Sequence, residues 1–198
     1  MTNSIQTIAV IGAGTAGRSF ALACAAAGFH VILEDVMPAN LRRAEEEFSS
    51  ATKLGAPHLE EMWEGTPHNQ PGSLSTALTV EDAVRTADLA VDFVPDELES
   101  KLEIFSMIDR MAPPRTILLT PSTAQSIADL ASCTYRPTLC FAVRGPLAPN
   151  TPALLAHPPQ ADSGALAAAA DFLSALGCSI SIEQDTLPPA LVKNQIHL

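Results

Sequence analysis

The glycine-rich segment near the start of the chain constrains the fold more than any other feature. Ile8–Ile11 is a short apolar run rich in β-branched residues, which predicts a strand buried on both faces. It leads into the pattern Gly12-x-Gly14-x-x-Gly17, followed by an alanine-rich stretch typical of a helix. In such a unit the first glycine permits the tight turn, the second lets a pyrophosphate approach the backbone, and the third lets the helix pack closely on the strand. The segment therefore predicts a dinucleotide-binding loop with the phosphates at the helix N-terminus.

A second strand and an acidic residue support this interpretation. His30–Leu33 is the next predicted strand, and it is followed by Glu34 and Asp35. Asp35 lies where the dinucleotide fingerprint places a carboxylate that accepts the ribose hydroxyls, although a role in capping a turn stays open. A carboxylate there repels a 2′-phosphate, so NAD is favoured over NADP. Repeated β–α alternation along the chain predicts an α/β fold, a Rossmann-type doubly wound and mainly parallel sheet.

Composition excludes several classes of partner. The chain has 198 residues and a formal net charge of −11, which disfavours nucleic acid and anionic membranes. Its four cysteines form no CxxC pair and predict small buried hydrophobic side chains in a reducing cytoplasm, with no metal site. The N-terminus shows no signal-peptide pattern, and no apolar run is long enough to span a bilayer.

The remaining elements are predicted from apolar patterning and from proline or capping residues. Thr79 is the predicted N-cap of one short helix, and the cap of another is expected within residues 122–125. The proline-rich stretch 55–72, with Trp63, His58 and His68, predicts irregular structure around a short helix at 59–63. The further predicted strands are 78–79, 89–94, 116–120, 139–143, 154–156 and 178–182, and the predicted helices are 41–48, 97–111, 126–131 and 165–176. The apolar residues of the last helix are also a candidate exposed patch for association into a homo-oligomer.

Three ordered signatures resemble the 3-hydroxyacyl-CoA dehydrogenase family. The opening run from Ile8 to Arg18 is similar to the start of that family, with Ala16 where a methionine is usual. The stretch from Asp92 to Lys101 resembles its second signature, an acidic strand end followed by a Val-Pro-acid turn and a lysine. The stretch 185–195 resembles the junction into the family's helical domain. The resemblance implies a Rossmann domain over residues 1–184 and a tail, 185–198, that begins the helical domain.

The resemblance also implies which residues hold the cofactor and substrate. Asp96 and Lys101 would lie near the nicotinamide half of the cofactor and the substrate; alternatively, Lys101 is a solvated helix residue. Ser122 and Thr123 would line the substrate site, and their hydroxyls are also candidates to cap a helix. Together with the glycine loop, the predicted cofactor-binding residues are Gly12, Gly14, Thr15, Ala16, Gly17, Asp35, Val94, Pro95, Asp96 and Lys101.

Two departures from the family change the functional expectation. The first is that the chain ends at Leu198, where the family normally continues into an all-helical domain, so that either the chain is a fragment or the protein works without that domain. The second is that the family's catalytic pair is altered. The family uses a His as general acid/base, held by a Glu about a dozen residues later. Matching prolines puts Ala142 in the His position, whereas an ungapped match puts Arg144 there and Ala156 in the Glu position. Arginine cannot exchange a proton near pH 7, though it can bind an oxyanion. His157 is next to Ala156, but strand neighbours point to opposite faces.

Three hypotheses follow, and each takes NAD as the cofactor. The first is an oxidoreductase of the 3-hydroxyacyl-CoA dehydrogenase type, in fatty acid metabolism, with reduced or altered activity and with Ser122, Thr123 and Arg144 as the candidate catalytic residues. Its substrate is a small molecule, with an acyl-CoA as one candidate. The second is a non-catalytic NAD-binding sensor or scaffold. The third is a different oxidoreductase in which Arg144 captures a substrate carboxylate, although a surface ion pair is the alternative role for Arg144.

Overall fold

The structure, a computed structural model, describes residues 5–53 and 72–191. Strands and helices alternate from the start, because apolar strand runs are separated by helices with one apolar face. The strands are β1 (Thr7–Ile11), β2 (His30–Glu34), β3 (Ser73–Ala77), β4 (Leu89–Asp92), β5 (Ile117–Pro121), β6 (Cys140–Arg144), β7 (Pro152–His157) and β8 (Ser179–Gln184). The helices are α1 (Thr15–Ala26), α2 (Pro38–Lys53), α3 (Val80–Val84), α4 (Leu98–Met111), α5 (Ile127–Ser132) and α6 (Ser163–Ala175), with a 3₁₀ turn at Pro137–Leu139.

The strands form one eight-stranded sheet in the order β3-β2-β1-β4-β5-β6-β7-β8. The first six strands are parallel, which confirms the doubly wound α/β fold. Strand β7 is antiparallel to β6, and β8 is parallel to β7. The reversal follows from the connection between β6 and β7, which contains no helix and so cannot make the crossover that a parallel pair requires.

Two apolar cores lie on opposite faces of the sheet. One contains the buried faces of α1, α2 and α6, and the other contains those of α3, α4 and α5. The apolar residues of α6 that face the sheet, Ala169, Phe172 and Leu173 among them, are buried in the first core, and Leu166 and Ala170 are partly buried against it. The predicted exposed patch on this helix is therefore wrong, because the helix covers the sheet with that face.

Several element boundaries differ from the predictions. The strand predicted at residues 78–79 is β3, which lies at Ser73–Ala77. Its polar residues are tolerated because β3 lies at the edge of the described sheet, where β2 is the one described strand that pairs with it. The expected cap within residues 122–125 is also wrong, because Ser126 caps α5 and accepts a hydrogen bond from the Ala128 N–H. Thr79 caps α3 as predicted, accepting from the Asp82 N–H.

Two carboxylates hold the segment after β8 against α5. Asp185 accepts a hydrogen bond from the Ile127 N–H at 2.7 Å. Asp129 is buried on α5, and its carboxylate accepts the backbone N–H groups of Ala190 at 2.6 Å and Leu191 at 2.9 Å. The described part of the predicted tail thus packs on the same domain as the sheet.

The described helices include none that is both long and apolar enough to cross a membrane. All four cysteines are free; Cys24, Cys140 and Cys178 are buried as predicted, whereas Cys133 is half-buried. The short helix predicted at 59–63, together with Trp63, His58 and His68, lies outside the described ranges.

Candidate functional site

The glycine loop has the shape that the three glycines predict. Gly12 has a φ of +99°, in the left-handed region that L-residues rarely adopt. A Cβ atom on Gly17 would lie 1.9 Å from the carbonyl oxygen of Gly12, so a side chain at Gly17 is excluded. A Cβ atom on Gly14 would meet no heavy atom within 4 Å. Gly17 is therefore packed tightly against the backbone of the loop, whereas there is free space beside Gly14.

The N-terminus of α1 follows this open turn. Gly14 is its N-cap residue, and no side chain caps the helix. Thr15 and Ala16 in the first turn are exposed. Because the first N–H groups of a helix lack intrahelical acceptors and carry partial positive charge, this end suits the phosphates of a dinucleotide.

Asp35 follows β2 beside the glycine loop, and its carboxylate is fixed by three donors. It accepts the Ala13 N–H at 2.8 Å, the Met37 N–H at 2.7 Å and the Asn40 Nδ2 at 3.1 Å. A carboxylate has about four acceptor positions, so one position is left for a ribose hydroxyl. Asp35 thus both ties down its turn and presents an anion next to the loop.

Glu34, the last residue of β2, was not singled out by sequence reasoning. Its side chain is buried, and burial together with the adjacent Asp35 raises the pKa of Glu34 to about 7. Glu34 is therefore a buried acid beside the predicted ribose site, with a pKa close to neutral pH.

The turn after β4 is connected to the loop after β5 through Asp96. The Asp96 carboxylate accepts from the Ser122 hydroxyl at 2.6 Å and from the backbone N–H groups of Thr123 at 3.0 Å and Ala124 at 3.3 Å. Partial burial acts to raise the pKa of Asp96, but these hydrogen bonds hold it below its usual value. The Ser122 hydroxyl also accepts from the Gln125 N–H, so it is engaged within the loop, whereas Thr123 is exposed.

Lys101 lies beneath this turn and not on the solvated face of α4. Its Nζ atom lies 2.7 Å from Asp92 Oδ1, and both side chains are almost fully buried. Burial raises the pKa of Asp92, against the opposing effect of the Lys101 ammonium. The prediction of a solvated Lys101 is wrong. The Lys101 Nζ also donates a long hydrogen bond, of 3.4 Å, to the Val94 carbonyl. Lys101 therefore supports the Val94–Asp96 turn from its buried side.

Arg144 is held inside the protein by three acceptors. Its guanidinium donates to the Ser122 carbonyl at 2.5 Å, the Gln125 carbonyl at 2.7 Å and the Asp185 carboxylate at 3.0 Å. The pair with Asp185 is mostly buried, so the predicted surface ion pair is wrong in its exposure. Arg144 therefore fixes the loop after β5 to the segment after β8.

Neither match to the family places a His or a Glu at the catalytic positions, since the proline match puts Ala142 at the His position and the ungapped match puts Arg144 there and Ala156 at the Glu position. Ala142 on β6 pairs directly with Ala156 on β7, and both are buried. His157 is half-buried, and its Nδ1 lies 2.9 Å from the Pro158 carbonyl. Neither alanine can move a proton.

A cleft of about 510 Å³ lies where α1 meets the carboxyl ends of β4, β5 and β6. Its walls include Phe20 on α1, Phe93 after β4, and Leu147 and Pro149 in the loop before β7. Sequence reasoning missed these wall residues, although Phe93 follows a buried strand at the edge where open α/β sheets bind ligands. The cleft lies on the opposite side of β1 from β2 and Asp35.

Comparisons with known proteins agree with this architecture. The family described as 3-hydroxyacyl-CoA dehydrogenase, NAD binding domain, matches residues 7–149. A probable 3-hydroxybutyryl-CoA dehydrogenase of Bacillus subtilis is 31% identical over 137 residues, which cover 67% of this chain and 46% of that protein. The 5-formyl-3-hydroxy-2-methylpyridine 4-carboxylate 5-dehydrogenase of Mesorhizobium japonicum is 30% identical over 126 residues, or 64% of this chain and 40% of that protein. The chain thus spans less than half the length of these relatives.

Solved structures share the fold. A diketoreductase superposes with a TM-score of 0.78 at 22% identity, covering 96% of this chain and 68% of that one. The glycine loop, the acid after β2 and the strand order define a dinucleotide-binding domain of NAD-dependent oxidoreductases. The chain belongs to the 3-hydroxyacyl-CoA dehydrogenase family, as its NAD-binding domain, and NAD is its cofactor.

Proposed function

We propose that this chain supports hydride transfer between NAD and a hydroxyl-bearing carbon of a 3-hydroxyacyl-type small molecule, with reduced or altered activity. The cleft beside α1 supports this most strongly, because it adjoins the dinucleotide loop at the carboxyl ends of three strands. NAD supplies or accepts the hydride when it is bound. An acyl-CoA is the substrate class we favour, which would place the reaction in fatty acid metabolism, and the four free cysteines fit a cytoplasmic location.

The chain's own residues would bind and orient the reactants. The α1 N-terminus and Asp35 would hold the phosphates and a ribose, and the apolar walls of the cleft would exclude water from the reacting carbon. Thr123 would offer its hydroxyl to the substrate oxygen. Asp96 and Ser122 would position the Thr123 loop through their hydrogen bonds.

Reduced activity is proposed because none of the described residues that line the cleft can move a proton. These residues carry no ionisable side chain. Neither match to the family supplies its His or Glu, because the positions carry Ala142 in one match and Arg144 and Ala156 in the other. A positioned acid or base contributes about 10²- to 10⁴-fold to a rate, so turnover should fall by about that factor relative to an enzyme that has one.

The same alanines favour a second candidate function, a non-catalytic NAD-binding sensor or scaffold. The third hypothesis, carboxylate capture by Arg144, gains no support, because the guanidinium already binds Ser122, Gln125 and Asp185.

Oxidation of NADH with acetoacetyl-CoA tests the proposal. We expect slow turnover above background, reduced by about two- to ten-fold in Thr123→Ala through loss of one hydrogen bond. Ser163→Ala, on the exposed start of α6, is the matched control and should leave the rate unchanged. NADH binding without turnover would reject the enzymatic proposal and support the non-catalytic one.

A further inference from the structure

Among the described residues that line the cleft beside α1, one has a side chain that can hydrogen bond. The other residues that line it are alanine, glycine, proline, leucine or phenylalanine. Ser19 is the exception, and it lies one turn after Ala16 on α1. A hydroxyl in such a cleft is the natural point of attachment for one polar group on an otherwise apolar or planar ligand.

The Ser19 hydroxyl is available to a ligand. Ser19 is exposed, and its Oγ makes no hydrogen bond to any of the residues that the structure describes. A helical serine often donates to the carbonyl four residues earlier, but Ser19 does not bond the Thr15 carbonyl in this way. The hydroxyl can therefore donate and accept without first breaking an internal contact.

The position of the cleft indicates which part of the cofactor it receives. Asp35, directly after β2, would bind the adenosine ribose, and the N-terminus of α1 would bind the phosphates. The cleft lies beyond β1 on the β4–β6 side, so the other half of the dinucleotide extends into it. That half carries the nicotinamide ring.

We infer that Ser19 binds the carboxamide of the nicotinamide ring. The aromatic and aliphatic walls suit the planar ring, while the carboxamide has to keep a hydrogen-bond partner when it leaves water. A serine hydroxyl can donate to the carboxamide oxygen or accept from its NH₂ group. Ser19 is thus a cofactor-recognition residue that fixes which face of the ring meets the substrate. The inference rests on NAD binding and does not require turnover.

Calorimetric titration of the Ser19→Ala chain with NADH and with ADP-ribose tests the inference, since ADP-ribose lacks the nicotinamide. We expect NADH binding to weaken by about two- to ten-fold, the effect of one neutral hydrogen bond, and ADP-ribose binding to stay unchanged. Ser19→Thr keeps the hydroxyl and should bind NADH more tightly than Ser19→Ala. Ser163→Ala should leave both affinities unchanged.

Three results would overturn the inference. These are an unchanged affinity of Ser19→Ala for NADH, an equal weakening of NADH and ADP-ribose, and equal affinity of the unaltered chain for the two ligands. If the unaltered chain bound neither ligand, the proposed function would fail along with this inference. Tight NADH binding without turnover would leave the inference standing while the enzymatic proposal failed.

Discussion

At the scale of single residues, we expect Gly17 to be required for stability and Gly14 to be required for cofactor binding. In Gly17→Ala the new Cβ would lie 1.9 Å from the Gly12 carbonyl, so we expect a loss of about 1–3 kcal/mol of unfolding free energy. In Gly14→Ala the Cβ meets nothing within 4 Å and the backbone φ is −60°, so stability should change by less than about 1 kcal/mol. Chemical denaturation of both variants measures the difference.

Cofactor titration completes the comparison of the two glycines. Because Gly14 faces outward, its new methyl group should weaken NADH binding even though the fold is intact. Equal stability losses in both variants, or normal NADH binding by Gly14→Ala, would contradict the assignment of this loop.

Glu34 predicts a pH dependence of stability. Its folded pKa is about 7 against an ordinary 4.5, so the folded state holds the proton more tightly than the unfolded state. The resulting stabilisation is complete below pH 4.5 and is lost as the pH rises through 7. Glu34→Gln keeps a neutral side chain at every pH. The stability of Glu34→Gln relative to the unaltered chain should therefore rise by about 2–3 kcal/mol between pH 5 and pH 8, measured by urea denaturation.

Glu46→Gln is the control for this experiment, because Glu46 is exposed on α2. Its difference from the unaltered chain should not vary over the same pH range. A pH-independent effect of Glu34→Gln would show that the carboxyl is not held neutral in the fold.

At the scale of elements, the Asp92–Lys101 pair joins β4 to α4. Lys101→Met leaves the buried Asp92 without its cation, and breaking such a pair costs about 3–5 kcal/mol. The double variant Asp92→Leu/Lys101→Met removes both charges and should recover most of that loss. Thermal and urea denaturation measure both variants. Arg43→Met, on the exposed face of α2, is the control and should change the free energy of unfolding by less than about 0.5 kcal/mol. An effect of Lys101→Met as small as that of the control would contradict the buried ion pair.

Sequence patterning predicted most elements because each depends on local signals. The glycine loop, the apolar strand runs and the Thr79 cap are all visible within a few residues. Strand β3 was misplaced because an edge strand such as Ser73–Ala77 carries little apolar patterning. The antiparallel β7 was not predicted, although the absence of a helix between β6 and β7 is a signal that could have revealed it.

The site was harder to predict because its contacts join distant parts of the chain. Arg144 contacts Asp185, Asp129 contacts residues 190 and 191, and Asp96 contacts the loop after β5. No local pattern indicates such pairs. The motif residues near the glycine loop were assignable because the spacing of the dinucleotide fingerprint is itself local.

At the scale of the whole molecule, the loop after β5 is joined by hydrogen bonds to the segment that follows β8. Arg144 fixes the Ser122–Gln125 loop to Asp185, and Asp129 holds the backbone of Ala190 and Leu191. The segment up to Leu191 is thereby held in a defined relation to the loop after β5.

Titration with NADH, for the unaltered chain and for Asp35→Asn, tests the central claim most directly. We predict that the unaltered chain binds NADH, and that Asp35→Asn weakens binding by about 10- to 100-fold through loss of a charged hydrogen bond to the ribose. The same variant should discriminate less against NADPH, because the repelling charge is gone. Asp171→Asn, on the exposed face of α6, should bind like the unaltered chain. No binding by the unaltered chain, or equal affinity for NADH in Asp35→Asn, would contradict the claim that the glycine loop and Asp35 hold NAD.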